Sequence, residues 1–83
     1  MTVTVHGQPI DITDSAKELV RLKFNPSNLG NVDRLKHLAA AFLSECDRIA
    51  AEVPESGRSF AVAKTNMQTA SMWAVLASTT GQP

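Results

Sequence analysis

Gly57–Thr79, GRSFAVAKTNMQTASMWAVLAST, decides the fold of this chain. Phe60, Ala63, Met67, Ala70, Trp73 or Ala74 and Ala77 recur every three or four residues, so a helix over 58–79 carries one continuous apolar stripe. The stripe needs a partner, and Trp73 is expected to be buried in it. The other side is Ala, Ser, Thr, Asn and Gln, with Lys64 the only charge after Arg58. An exposed helix face normally carries more charge, so a second contact, with the same chain or another subunit, is expected there.

Working back, Val53-Pro54-Glu55-Ser56-Gly57 turns the chain, and Ser56 or Ser59 can cap the last helix. Before it lies a middle helix over 31–52, capped by Asn31. Its apolar positions Val32, Leu35, Leu38 or Ala39, Phe42, Cys46, Ile49 and Val53 alternate steps of three and four. The two helices are expected to pair antiparallel, with Trp73 near the start of the middle one and Arg58 near Ile49. Cys46 falls on the stripe as a small core hydrophobe. Lys36 sits beside the stripe close to the helix N-terminus, where the dipole favours anions, so it is either a snorkelling side chain or one kept for what it binds. Arg58 and Lys36 are then far apart in one subunit, and a single anion touching both would need two subunits.

Phe24-Asn25-Pro26-Ser27-Asn28-Leu29-Gly30-Asn31 interrupts the helices, since Pro26 drives Asn25 out of helical space. Asn25, Ser27 and Asn28 form either a self-satisfied connector or a platform of donors and acceptors beside a ligand. A short helix over 13–23, capped by Thr13 or Asp14, precedes the loop. Residues 1–12 alternate Val3 and Val5, turn at His6-Gly7 and resume with Ile10 and Ile12. They read as an extended or β-hairpin arm with Pro9 at an edge and His6 an ordinary turn residue. The fold class is therefore mainly α: an antiparallel helical hairpin with a short N-terminal helix and this arm, one domain over 1–83. A core this small points to assembly as a homo-oligomer.

Eight basic and eight acidic residues cancel, which argues against DNA or RNA as a partner, and the pattern of a recognition helix is absent. All the acids lie at or before Glu55, leaving Arg58 and Lys64 as a locally basic pair suited to a small anionic ligand. The lone Cys46 makes no intrachain disulfide, no apolar run is long enough for a membrane, and no basic-then-apolar leader opens the chain, so the cytoplasm is the expected compartment. Zinc, redox, phosphate-loop and nucleophile-elbow motifs do not occur, and His6 and His37 have no nucleophile and carboxylate at useful spacing. No cofactor and no catalysis are expected. A binding module is the leading reading, with a structural or regulatory helical-hairpin oligomer without a small ligand as the alternative.

Phe24-Asn25-Pro26-Ser27, Val32-Asp33-Arg34-Leu35-Lys36, and Gly57-Arg58-Ser59-Phe60-Ala61-Val62-Ala63-Lys64-Thr65 running into Ala70-Ser71-Met72-Trp73-Ala74 resemble a family of small phage proteins. These are the anti-CBASS and anti-Thoeris nucleotide sponges, which share one helical-hairpin domain and sequester the nucleotide messengers of bacterial immunity. The resemblance covers roughly Lys23 to Ala77. It implies a compact oligomer, often a hexamer, with cyclic dinucleotides, cyclic trinucleotides or cyclic ADP-ribose isomers held between protomers without hydrolysis. It also implies action in the cytoplasm of the infected bacterial host, and Lys36, Arg58, Lys64 and Thr65 match the family pattern in type. The chain departs from that pattern at Asn66, Met67, Gln68 and Thr69, where members often carry acids. It also has no tyrosine, the residue that stacks on a base in some members.

Overall fold

The computed structural model describes residues 3–25 and 29–80. Strands β1 (Thr4–Val5) and β2 (Gln8–Pro9) pair antiparallel, Thr4 opposite Pro9 and Val5 opposite Gln8. His6 (φ 53°) and Gly7 (φ 76°) make the link, and two consecutive positive φ angles give the turn whose twist matches a tight hairpin. Two strands do not hold themselves in water. The arm is tethered where Thr13 N–H donates to Ser44 Oγ at 3.1 Å, while that hydroxyl donates to Ala40 O at 2.8 Å.

Helix α1 (Asp14–Leu19) is capped by Thr13, whose Oγ1 accepts from Ala16 N–H at 3.1 Å. It is shorter than the expected 13–23 because Arg21 swings into the left-handed region at φ 53°. Leu22 N–H then reaches back to Lys17 O at 2.9 Å and Arg21 N–H to Glu18 O at 3.1 Å. This is the Schellman closure of a helix, with arginine where glycine is usual.

Helix α2 (Gly30–Glu52) starts without a side-chain cap of its own. Asn31 is not the cap, as the sequence had implied. Leu29 holds that position, and Asn25 clasps it at both ends, Nδ2 donating to Leu29 O (2.9 Å) and Oδ1 accepting from Leu29 N–H (3.2 Å). A 3-10 turn over Pro54–Ser56 leads into α3 (Gly57–Thr79). Ser56 occupies the α3 N-cap position without capping; its Oγ donates to Val53 O. The helices run antiparallel, and Lys64 Nζ meets Asp47 Oδ1 at 2.6 Å across them, which sets the register of the hairpin.

Ala16 and Val20 of α1 and its turn meet Ala39, Ala40 and Leu43 of α2, with Ile12, Leu22 and Met67 packed around them. Most of these side chains are small, so α1 and α3 both approach α2 closely while burying little area. The apolar stripes lie rotated from their expected places. Leu38 and Phe42 of α2 are exposed, and Trp73 is 67% exposed rather than buried. The reason is steric: α2 turns its Lys36, Ala40 and Leu43 edge between its two neighbours, and α3 faces it with Lys64, Met67, Ser71, Ala74 and Ser78. Ala70 and Ala77 point outward.

Candidate functional site

Two regions carry the side chains picked out in the sequence. The first is the junction of α1 and α2. Lys36, nearly two turns into α2, is 5% exposed, and its Nζ donates to Arg21 O at 2.8 Å and to Phe24 O. Burial, and then the Arg21 guanidinium, hold its pKa below the ordinary 10.5. The ammonium therefore ties the left-handed turn to the long helix. Above it the Phe24 ring is 56% exposed, with Arg21 Cζ 4.7 Å and Lys36 Nζ 5.6 Å from its centroid. Such cation–ring contacts contribute about 0.5–1 kcal/mol at exposed sites. Asn25 belongs to this junction through its clasp on Leu29. Ser27 and Asn28 lie outside the described residues.

An open groove of about 620 Å³ runs beside the turn, lined by Leu22, Lys23, Asn25, Leu29, Gly30, Asp33 and His37. His37 Nδ1 donates to Asp33 O at 2.8 Å and lies 3.4 Å from Asp33 Oδ1. A larger groove of about 1040 Å³ separates the arm from α2, with Asp11, Glu45 and Asp47 among its walls.

The second region is the outer side of α3. Arg58, Val62, Thr65, Thr69, Met72 and Leu76 follow one another at steps of four and three, all exposed, with Trp73 at their edge. Arg58 has no ion pair among the described residues. Thr65 Oγ1 donates to Ala61 O at 3.1 Å, which leaves its lone pairs outward. Lys64 lies on the opposite flank, engaged with Asp47. Lys36 and Asn25 thus come together and Arg58 and Thr65 share one face of α3, but Arg58 stands at the opposite end of the hairpin from Lys36, with Thr65 near its middle. With the register set by Lys64 and Asp47, Arg58 and Lys36 are separated by roughly 25 Å along the axis at 1.5 Å per residue.

Arg21 and Lys23 were not named as candidate ligand residues by sequence reasoning, and Phe24 entered it only as part of the Phe24-Asn25-Pro26-Ser27 motif. The only signal was two cations crowded beside an aromatic ahead of the proline, and periodicity assigned Arg21 to a helix it in fact terminates. Among the described residues no cluster of His, Cys, Asp or Glu could hold a metal ion, and no helix is long and apolar enough to cross a membrane. Cys46 is buried, and burial, then Asp47, push its thiol pKa up, which suits packing and not nucleophilic chemistry.

The described residues define a helical hairpin braced by a short capped helix, packed on the inner side of α3 and exposed along an apolar stripe on its outer side. The chain belongs to the Acb2/Tad1 hairpin-domain family, which residues 14–79 match. This is the family of anti-CBASS and anti-Thoeris nucleotide sponges, which are not catalysts. Neither a curated protein nor a solved structure matches the chain. Membership supports a role in sequestering the signals of antiphage defence.

Proposed function

We propose that this protein binds cyclic nucleotide second messengers, whether cyclic dinucleotides, cyclic trinucleotides or cyclic ADP-ribose isomers, and holds them intact between protomers of a closed homo-oligomer, with a hexamer the expected state. It would act in the cytoplasm of the infected bacterial host, where such messengers are made. Family membership supports the ligand class. The observation that carries the reading is the outer stripe of α3: Arg58 and Thr65 share one uncovered face with Val62, Met72, Trp73 and Leu76. An apolar face interleaved with a guanidinium and hydroxyls can pack against a second subunit and still present polar groups to a ligand held at the seam.

In this reading Arg58 makes charge-assisted bonds to phosphate, and Lys64 adds positive charge while sharing Asp47. Thr65, Asn25, Ser27 and Asn28 read base edges and sugar, and Lys36 serves the site from a neighbouring protomer. A sponge must outcompete the receptor it starves, so a nanomolar dissociation constant, about 12 kcal/mol, is expected for the right messenger.

Calorimetry of the assembled protein against a panel of cyclic nucleotides tests this. One member should bind at nanomolar concentration and be recovered chemically intact after heat denaturation of the complex. No binding anywhere on the panel by folded protein would leave a helical-hairpin oligomer without a small ligand. A cleaved messenger would replace sequestration by catalysis.

A further inference from the structure

Arg21 and Lys23 lie in the turn whose carbonyls Lys36 holds from α2, and none of the three has a carboxylate partner among the described residues. Among the other cations of the helices, Lys17 pairs with Asp14, Arg48 with Glu45 and Glu52, and Lys64 with Asp47, while Arg34 and Arg58 have no ion pair among the described residues. Arg21 and Lys36 crowd each other over the same Phe24 ring, an arrangement that like charges oppose. The turn also holds a left-handed non-glycine residue, a conformation that L side chains adopt only under constraint. What fixes this unfavourable arrangement is visible. Backbone bonds from Arg21, Leu22 and Phe24 close the turn, and the buried Lys36 ammonium grips two of its carbonyls from beneath. The exposed products are the Arg21 guanidinium, set over an aromatic ring, and the Lys23 ammonium on the wall of the 620 Å³ groove.

We propose that the Arg21–Asn25 turn is an anion-binding lip in which Arg21 and Lys23 contact ligand phosphates, while Lys36 touches no ligand and acts as a positioning residue for the two. The identity of the anion as a cyclic nucleotide rests on the sponge reading above. The division of labour rests on burial. Lys36 is enclosed and already spends two of its three N–H donors on backbone carbonyls, whereas Arg21 and Lys23 are exposed.

The test is a set of titrations with the tightest-binding member of the cyclic nucleotide panel. Arg21→Gln and Lys23→Gln should each weaken binding roughly tenfold to a hundredfold, the range of a lost charge-assisted contact. Lys36→Met should weaken it comparably, and Lys36→Arg should restore most of the loss. Lys36→Met added to the Arg21→Gln/Lys23→Gln pair should cost little more, because a residue acting through others has nothing left to position. Full additivity in that cycle would make Lys36 a direct contact and overturn its assignment. Wild-type affinity in both the Arg21 and Lys23 variants would overturn the lip while leaving the sponge reading intact, and these two variants decide the matter if Lys36→Met does not fold. If the wild type binds no cyclic nucleotide, inorganic pyrophosphate followed by amide NMR judges the lip alone. Shifts confined to residues 21–25 and abolished in the Arg21→Gln/Lys23→Gln variant uphold it, and shifts absent or scattered elsewhere overturn it.

Discussion

The inner and outer faces of α3 draw on much the same chemistry, methyl groups and hydroxyls with one cation each, yet only the inner face is completed within the chain. Inside are Ala63, Lys64, Met67, Ser71, Ala74 and Ser78; outside are Arg58, Val62, Thr65, Met72, Trp73 and Leu76. Size separates them better than polarity does. Small residues on α3 opposite Ala39, Ala40 and Leu43 let the helices close together, and the bulkiest side chains are left out because no groove within one chain accommodates them. The cation also differs in kind: Lys64 is neutralised by Asp47, and Arg58 is not. One face builds the subunit. The other is available to a partner.

The sharpest way to break this contrast is at the core. Leu43→Ala, at a side chain with no exposure, should cost about 2–5 kcal/mol and leave a subunit that unfolds at markedly lower denaturant. A small shift in the midpoint would mean that the inner face is not what holds the chain. Trp73→Glu asks the opposite question. If the outer stripe is the seam between protomers, this change should abolish assembly in light scattering while the helical signal of the 8.9 kDa chain persists, because Trp73 is exposed in the single chain and would then contribute to association alone. Intact assemblies carrying the glutamate would place the interface elsewhere. Arg58→Ala should lower cyclic nucleotide affinity roughly tenfold to a hundredfold, with apo stability changing by less than about 1 kcal/mol. Equal losses in both would make Arg58 structural.

The smallest effect expected is one of pH. The native pKa of Lys36 lies below its unfolded 10.5, so between those two values the unfolded chain binds more protons than the native one. This residue's contribution to stability therefore rises with pH across that window, and its penalty is fully present below it. The wild type minus Lys36→Met difference in unfolding free energy, followed from pH 8 upward, should move in the direction of a more stable wild type. The reverse slope would mean that the ammonium is better solvated than its burial indicates.

Periodicity and turn chemistry were enough for the hairpin, its antiparallel sense and the arm, because each follows from residues close in sequence, and they narrowed the α1 cap to Thr13 or Asp14, of which Thr13 is the one observed. They were not enough for which stripe faces inward. On α2 the apolar residues cover more than one side, and the choice between Leu38–Phe42 and Ala39–Leu43 depends on α1 docking from elsewhere in the chain. The same limit misplaced Trp73. The ambiguity over Lys36 ended only when its carbonyl partners came from a turn 12 and 15 residues away. Arg58 and Thr65 share a face of α3 by their spacing of seven, but that this face is the uncovered one became visible only with the rotation of α3. The turn at Arg21 was not legible, since a left-handed arginine violates the local preference on which such readings rely.

The bare stripe of α3 has a consequence for temperature. From Val62 to Leu76 it offers methyl, thioether, indole and hydroxyl groups and no charge. An association resting on that surface gains little enthalpy near room temperature and carries a negative heat-capacity change, so it strengthens on warming through the physiological range and loosens toward freezing. Added salt should leave it nearly untouched, whereas contacts made by Arg58 weaken as ions screen them. Assembly and ligand capture would then answer to different variables, the first to heat and the second to ionic strength. A preparation kept ice-cold could lose its binding sites by coming apart while every subunit in it remained folded.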